Sequence, residues 1–158
     1  MKVTKFLLIG LALLALGCSD DDGDDMFDEA AQFEADLEAI DQYIIDNGLV
    51  DDTLHHSSGI RYIIREKGTG IRARVGDQVK VDYAGRLLDD TEFDSGVLQQ
   101  ALNTRVILGW YFMLQEMDEG DKFTVFIPSR YGYGQNGSGS IPPNSPLIFE
   151  MYLIKVGL

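Results

Sequence analysis

Residue types able to make or break bonds are few in this chain of 158 residues, and most are poorly placed for it. The only histidines, His55 and His56, are adjacent, whereas a mononuclear metal site needs ligands converging from separate positions. Beside Ser57-Ser58 they read as a polar linker, and no metal is expected. No histidine follows residue 56, so a hydrolytic triad would lack its base. The single cysteine, Cys18, excludes an intramolecular disulfide and a multi-thiolate zinc site. Gly132-Tyr133-Gly134-Gln135-Asn136-Gly137 fits the G-x-G-x-x-G dinucleotide pattern. The Ser138-Gly139-Ser140-Ile141-Pro142-Pro143 that follows cannot open the helix whose N-terminus would hold a pyrophosphate, so no cofactor is expected. What remains is a series of aromatic and aliphatic side chains beside turns. Tyr83 stands two before Gly85 and Phe93 precedes Asp94. Val106-Ile107 lead into Gly109-Trp110, Tyr131 and Tyr133 lie in a glycine loop, Ile141 precedes Pro142-Pro143, and Phe149 falls in the last apolar run. A core alone has no need of aromatics at turns.

The elements that must position these residues follow from hydrophobic period. Ile60, Tyr62 and Ile64 alternate with Arg61 and Arg65; Val79, Val81 and Tyr83 alternate with Lys80 and Asp82; Phe123, Val125 and Ile127 form a third set, and Leu147, Phe149, Met151 and Leu153 a fourth. Strand signals joined by glycine-rich turns, without long helices between most of them, imply an antiparallel sheet. The exception is residues 109–117, where Trp110, Met113, Leu114 and Met117 recur at i, i+3, i+4 and i+7 and give one short helix with an apolar face. Residues 53–158 therefore read as one α+β domain with no internal repeat. Ahead of it, Phe33, Leu37, Ile40 and Ile44 recur at steps of four, three and four, which predicts an amphipathic helix over 28–48, stopped by Asn47-Gly48. Its stripe is expected to pack on the domain, a homodimer through the same helix being the rival use. Its acidic polar face argues against a membrane-surface role.

At this point the order and spacing of the motifs resemble the FKBP-type peptidyl-prolyl cis-trans isomerases. The matching pieces are Val81-Asp82-Tyr83-Ala84-Gly85, Glu92-Phe93-Asp94-Ser95, Val106-Ile107-Leu108-Gly109-Trp110, Ile127-Pro128 with Tyr131-Gly132-Tyr133-Gly134, and Ile141-Pro142-Pro143 with Leu147-Ile148-Phe149-Glu150. The resemblance covers residues 57–158. It implies a curved antiparallel sheet of about five strands wrapped around one short helix, with a substrate proline ring inserted between them. By the same resemblance Trp110 would form the pocket floor, with Tyr83, Phe93, Val106, Ile107 and Phe149 as walls and Tyr133 and Ile141 overhanging. The Ile107 N–H and the Tyr133 hydroxyl would hydrogen-bond the peptide, Asp94 with Tyr83 would order the polar edge, and a macrolide could occupy the same cleft. Tyr83, Asp94, Trp110 and Tyr133 are the expected catalytic set. Rotating an X-Pro amide crosses a barrier of about 18–20 kcal/mol without breaking a bond, so a site of apolar walls and few donors suits it better than one built on a nucleophile. The chain departs from the family in having twelve residues between Phe93 and Val106, which implies a shortened bulged strand, an open wall and no arginine partner for Asp94. Leu108 and Met113 stand where the family more often has other residues. Two rival readings use the same residues: a non-catalytic module that holds proline-containing segments, and a structural lipoprotein assembled through its helix.

Charge divides the chain. Residues 1–52 carry 14 of the 26 acids, no Lys or Arg occurs between Lys5 and Arg61, and residues 53–158 hold 12 acids against 11 bases. The formal net charge of −13 argues against a non-specific nucleic-acid binder, but nearly all of it belongs to the N-terminal arm and says little about what the domain binds. Lys2 and Lys5 precede the uncharged residues 6–17, a stretch too short to cross a hydrocarbon core of about 30 Å. It reads as a signal peptide over 1–17. Leu14-Ala15-Leu16-Gly17-Cys18 resembles a bacterial lipobox, with Ala15 where Leu is usual, which implies lipid attachment at Cys18 and anchoring in a membrane. Residues 18–27 then form an acidic tether. The expected protein is exported and held at the outer membrane, on its periplasmic or cell-surface face. Its expected partners are proline-containing unfolded or flexible polypeptides.

Overall fold

The computed structural model describes residues 27–157, so the expected signal peptide, Cys18 and nearly all of the tether lie outside the described residues. Within them, helix α1 (Glu29–Asp46) is followed by strands β1 (Leu54–His55), β2 (Arg61–Glu66), β3 (Gln78–Leu87) and β4 (Glu92–Ala101). Helix α2 (Leu108–Leu114) and strands β5 (Lys122–Ile127) and β6 (Leu147–Val156) complete the domain. Among the described residues no helix is long and apolar enough to cross a membrane.

The strands form one antiparallel sheet in the order β1-β2-β5-β6-β3-β4. It has six strands rather than about five; the additional one is the two-residue β1, paired through Leu54 with Tyr62 and His55 with Arg61. Strands this short carry no readable alternation. The strand expected to be bulged is the ten-residue β4, paired with β3 from Gln78 opposite Ala101 to Arg86 opposite Glu92, with Phe93 left over as the bulged residue. One register shift falls at Gly85/Arg86.

Both faces of the sheet are covered, and the period of two divides the core accordingly. Val79, Val81, Phe123, Val125, Ile127, Leu147, Phe149, Met151 and Leu153 face α2, where they meet Trp110, Met113, Leu114 and Met117. On the opposite face Ile63, Phe126 and Ile148 meet Ile40 and Ile44 of α1. Ile64, expected to share the face of Ile60 and Tyr62, is exposed, where a register shift between Ile64 and Glu66 ends regular pairing near the end of β2. Helix α2 is shorter than expected: Glu116 and Met117 donate their N–H groups to Met113 and Leu114, a tightened last turn that still buries Met117.

Helix α1 begins where the sequence provides a cap. Asp28 Oδ1 accepts from the Ala30 and Ala31 N–H groups at 2.9 and 3.0 Å, and Gly48 leaves the helix with φ +65°. The helix is fixed to the sheet by more than its apolar stripe. Arg61 donates to both carboxylate oxygens of Asp41 at 2.8 and 2.9 Å, and the Tyr43 hydroxyl donates to Asp90 at 2.9 Å.

The exit of α2 is clamped to the segment before β3 by a polar knot. The fully buried Asp121 carboxylate accepts from the Gly68 N–H at 2.6 Å, the Asp118 N–H at 2.7 Å and Lys67 Nζ at 2.9 Å. Arg72 and Lys67 hydrogen-bond Asp118 and hold its carboxyl down at about 2. Because that value lies below the ordinary 3.8, the Asp118 contribution to stability is complete above pH ~4 and disappears as pH falls through about 2.

Two outcomes follow. Ile40→Ala empties a fully buried position between α1 and the sheet and is expected to lower unfolding free energy in urea by about 2–5 kcal/mol. Arg72→Ala is expected to move the onset of acid unfolding, followed by circular dichroism, to higher pH.

Candidate active site

The concave face of the sheet and the N-terminal end of α2 enclose a cleft of about 300 Å³. Its floor is Trp110, in the first turn of α2. Gly109 lets this turn approach: a Cβ there would stand 2.6 Å from the Ile127 side chain of β5. The indole is framed edge-on by two rings, with centroid separations of 5.0 Å to Tyr83 and 5.3 Å to Phe149 and interplanar angles of 81° and 84°. Such T-shaped contacts place ring edges against a π-face and fix the indole plane from two sides. Trp110 Nε1 is buried and has no hydrogen-bond partner among the described residues.

Of the residues singled out in the sequence, Tyr83, Asp94, Val106, Ile107, Trp110, Tyr133 and Phe149 line the cleft together. Phe93 and Ile141 do not. Phe93 stands behind Phe149, edge-on at 5.6 Å and 82°, in space that Gly85 leaves open: a Cβ on Gly85 would come within 2.6 Å of the Phe93 ring and 2.7 Å of Phe149. Ile141 is buried in the core, and its backbone pairs reciprocally with Ser138 at 2.8 and 3.0 Å to close the loop that follows Tyr133. Both belong to the cluster that surrounds the lining, Phe93 through its contact with Phe149 and Ile141 within the core. Three lining residues escaped the sequence reading: Leu98, Gln100 and Arg105. Leu98 occupies the wall expected to be open, because β4 pairs it with Val81 on the face that lines the cleft.

The polar rim is small. The Tyr83 hydroxyl donates to Asp94 Oδ2 at 2.7 Å, and this bond, reinforced by burial, pushes the Tyr83 phenol up to about 12. Burial, followed by the Asp94 charge, also raises the Tyr133 phenol. Both hydroxyls therefore remain protonated donors at neutral pH. Among the described residues no Lys or Arg pairs with Asp94; Arg105 lines the same cleft without contacting it. The Ile107 N–H and the Tyr133 hydroxyl make no hydrogen bond to the described residues. Besides the buried Trp110 Nε1, two donors are thus left free on residues lining an apolar cavity that holds no nucleophile paired with a base. Among the described residues no group of three His, Cys, Asp or Glu is placed to hold a metal. Such a site can bury a compact apolar ring and hold the backbone on either side of it. Another depression, of about 220 Å³, lies between α1 and residues 129–135 and is lined by Phe33 and Tyr131 among others.

A profile described as "FKBP-type peptidyl-prolyl cis-trans isomerase" matches residues 70–154. The FKBP-type peptidyl-prolyl cis-trans isomerase FkpA of Aeromonas hydrophila is 35% identical over 143 residues, covering 84% of this chain and 53% of that protein. The outer membrane protein MIP of Legionella longbeachae is 40% identical over 104 residues, covering 63% of this chain and 45% of that protein. Among solved structures, a peptidyl-prolyl cis-trans isomerase from Pseudomonas syringae superposes with a TM-score of 0.68 at 34% identity, over 79% of this chain and 96% of the other. FkpA from Escherichia coli gives 0.69 at 33%, over 81% and 61%. The chain spans about half the length of the curated relatives it matches.

The Tyr83–Asp94 bond yields a direct test. Asp94→Ala removes both the acceptor and the negative charge beside the phenol, and a ring-carbon NMR titration of Tyr83 is expected to fall from about 12 toward the ordinary 10.0. An unchanged titration would show that burial alone raises it.

Proposed function

The chain belongs to the FKBP-type peptidyl-prolyl cis-trans isomerase family, and on that premise we propose that it catalyses rotation about X-Pro bonds of unfolded or flexible polypeptides. The observation that carries this reading is the Trp110 floor, framed edge-on by Tyr83 and Phe149 and faced by the unpaired Ile107 N–H and Tyr133 hydroxyl. A proline ring placed on the indole would bury apolar surface, and the two donors would hold the flanking backbone.

The chemistry asked of the site is modest in kind. A planar amide is stabilised by resonance that separates charge, and this is lost as the C–N bond twists through its barrier of about 18–20 kcal/mol. A water-poor cavity offers the planar, more polar form little solvation and so favours the twisted one relative to water. Fixed donors that fit the turned peptide better than the extended one add selective stabilisation of the transition state. Tyr83 and Asp94, locked to each other at 2.7 Å, keep the rim oriented without themselves exchanging protons. No bond is made or broken.

The place of action is part of the same proposal. Lys2 and Lys5, the apolar residues 6–17 and Cys18 support export and attachment of the chain to a membrane through an acylated cysteine. The relative named an outer membrane protein supports the envelope as the setting. The clients are then proteins folding outside the cytoplasm, where a proline isomer slow to convert delays folding by tens of seconds.

The test is acceleration of cis-trans exchange in an Ala-Pro peptide, read by exchange NMR without a coupled protease. The protein is expected to accelerate exchange, and Asp94→Ala and Tyr133→Phe are each expected to lower kcat/KM by about tenfold, equivalent to ~1.4 kcal/mol of transition-state stabilisation. Binding of the peptide by a folded protein without any acceleration would replace the enzyme with a proline-peptide holding module.

A further inference from the structure

Asp36 is the one acid of α1 turned fully into the fold, 2% exposed. Its neighbours on the same helix face, Ile40 and Ile44, are buried as apolar packing residues should be. A carboxylate in such a place loses its hydration, and among the described residues no cation pairs with it. It is satisfied instead by two hydrogen bonds. Oδ1 accepts from Gln32 Nε2 at 2.8 Å, within the helix. Oδ2 accepts from the backbone N–H of Ser129 at 2.7 Å, 93 residues away and in a buried setting.

Ser129 opens the single 3₁₀ turn Ser129–Tyr131, directly after Pro128. The first N–H groups of a helical turn have no partner within it, so Asp36 serves as a cap supplied from another helix. The same turn is held by α1 a second time. Phe33, one turn before Asp36, meets the Tyr131 ring edge-on at 5.9 Å and lies under the Arg130 guanidinium at 4.9 Å. From the far side Phe112 of α2 meets Tyr131 at 5.5 Å. Two residues beyond Tyr131 the chain delivers Tyr133 to the cleft.

Helix α1 lies outside the residues 70–154 that match the family. We propose that it is nevertheless part of the isomerase site: Asp36 is a positioning residue that, through the Ser129 N–H, fixes the turn that delivers Tyr133 to the cleft. This rests on the reading of the cleft given above. Misplacement of a donor by even about 1 Å is enough to cost activity without loss of fold.

The test compares Asp36→Ala, Asp36→Asn, Phe33→Leu and Ile40→Ala in the full chain, each by peptide exchange kinetics and by the NMR resonances of Tyr133. Asp36→Ala is expected to lower kcat/KM about fivefold and to shift or broaden the Tyr133 signals. Asp36→Asn, whose side-chain oxygen still accepts from Ser129, is expected to retain most activity. Ile40→Ala, which loosens the same helix without touching the turn, is expected to remain within about twofold of the parent and to leave Tyr133 unmoved. Phe33→Leu is expected to shift Tyr133 even where Asp36→Ala does not fold. Unmoved Tyr133 signals in Asp36→Ala or Phe33→Leu, or an equal loss in Ile40→Ala, would overturn the proposal and leave Asp36 a purely structural group. If the parent shows no turnover, the isomerase reading fails, while the Tyr133 resonances still decide whether Asp36 positions the turn.

Discussion

Strand β6 lies between β5 and β3, and because successive side chains of a strand point to opposite faces, Ile148 and Phe149 serve two different cores. Ile148 packs under α1 with Phe126 and Ile63, whereas Phe149 enters the cluster beneath α2. There its ring is met edge-on by Phe93 and Trp110 and at a tilt by Tyr83. One register, pinned by pairs such as Val125 with Phe149 and Gly85 with Phe149, therefore sets both the aromatic frame of the cleft and the seat of the N-terminal helix. A slip by one residue would send Phe149 toward α1 and empty the cleft of its central wall.

That division of labour explains what could be read from the sequence. Alternation in β3, β5 and β6 is regular because each has at least one fully buried face, and the apolar steps of four, three and four in α1 describe a stripe that is used. The motifs that carry the family resemblance sit where strands end and turns begin, and seven of the residues taken from them line one cleft. The second face of the sheet was harder to see. Phe126 and Ile148 fall between the members of the period-two sets, and only the packing of α1 shows what buries them. Strand β4 is an edge strand whose exposed positions mix Glu92, Asp94, Ser95 and Gln99 with the apolar Val97, so nothing in its composition singled out Leu98 as a wall. Asp36 is indistinguishable by type from Glu34 and Glu38 on the same helix, and only its contact with a residue 93 positions later sets it apart.

The account of function depends on how little reactive chemistry the site contains. Its charged lining groups are Asp94, bonded to Tyr83, and Arg105, and the remainder is aromatic, aliphatic or amide. An amide rotation asks for a dry surface, a fixed ring plane and a few donors in the right place. The fold provides the first two through α2 docked on the sheet. It provides the third through loops held in turn by α1, α2 and the Ser138–Ile141 pair.

The most direct measurement uses the fact that Trp110 is the only tryptophan in the chain, so its indole N–H gives a unique NMR signal. An Ala-Pro peptide would be titrated into the full-length protein while the indole resonance and the peptide exchange rate are recorded in the same samples. If the cleft over Trp110 is where the bond rotates, the indole signal shifts with the same concentration dependence as the acceleration of exchange. Acceleration with an unmoved indole signal, or a saturating indole shift without acceleration, would contradict that claim.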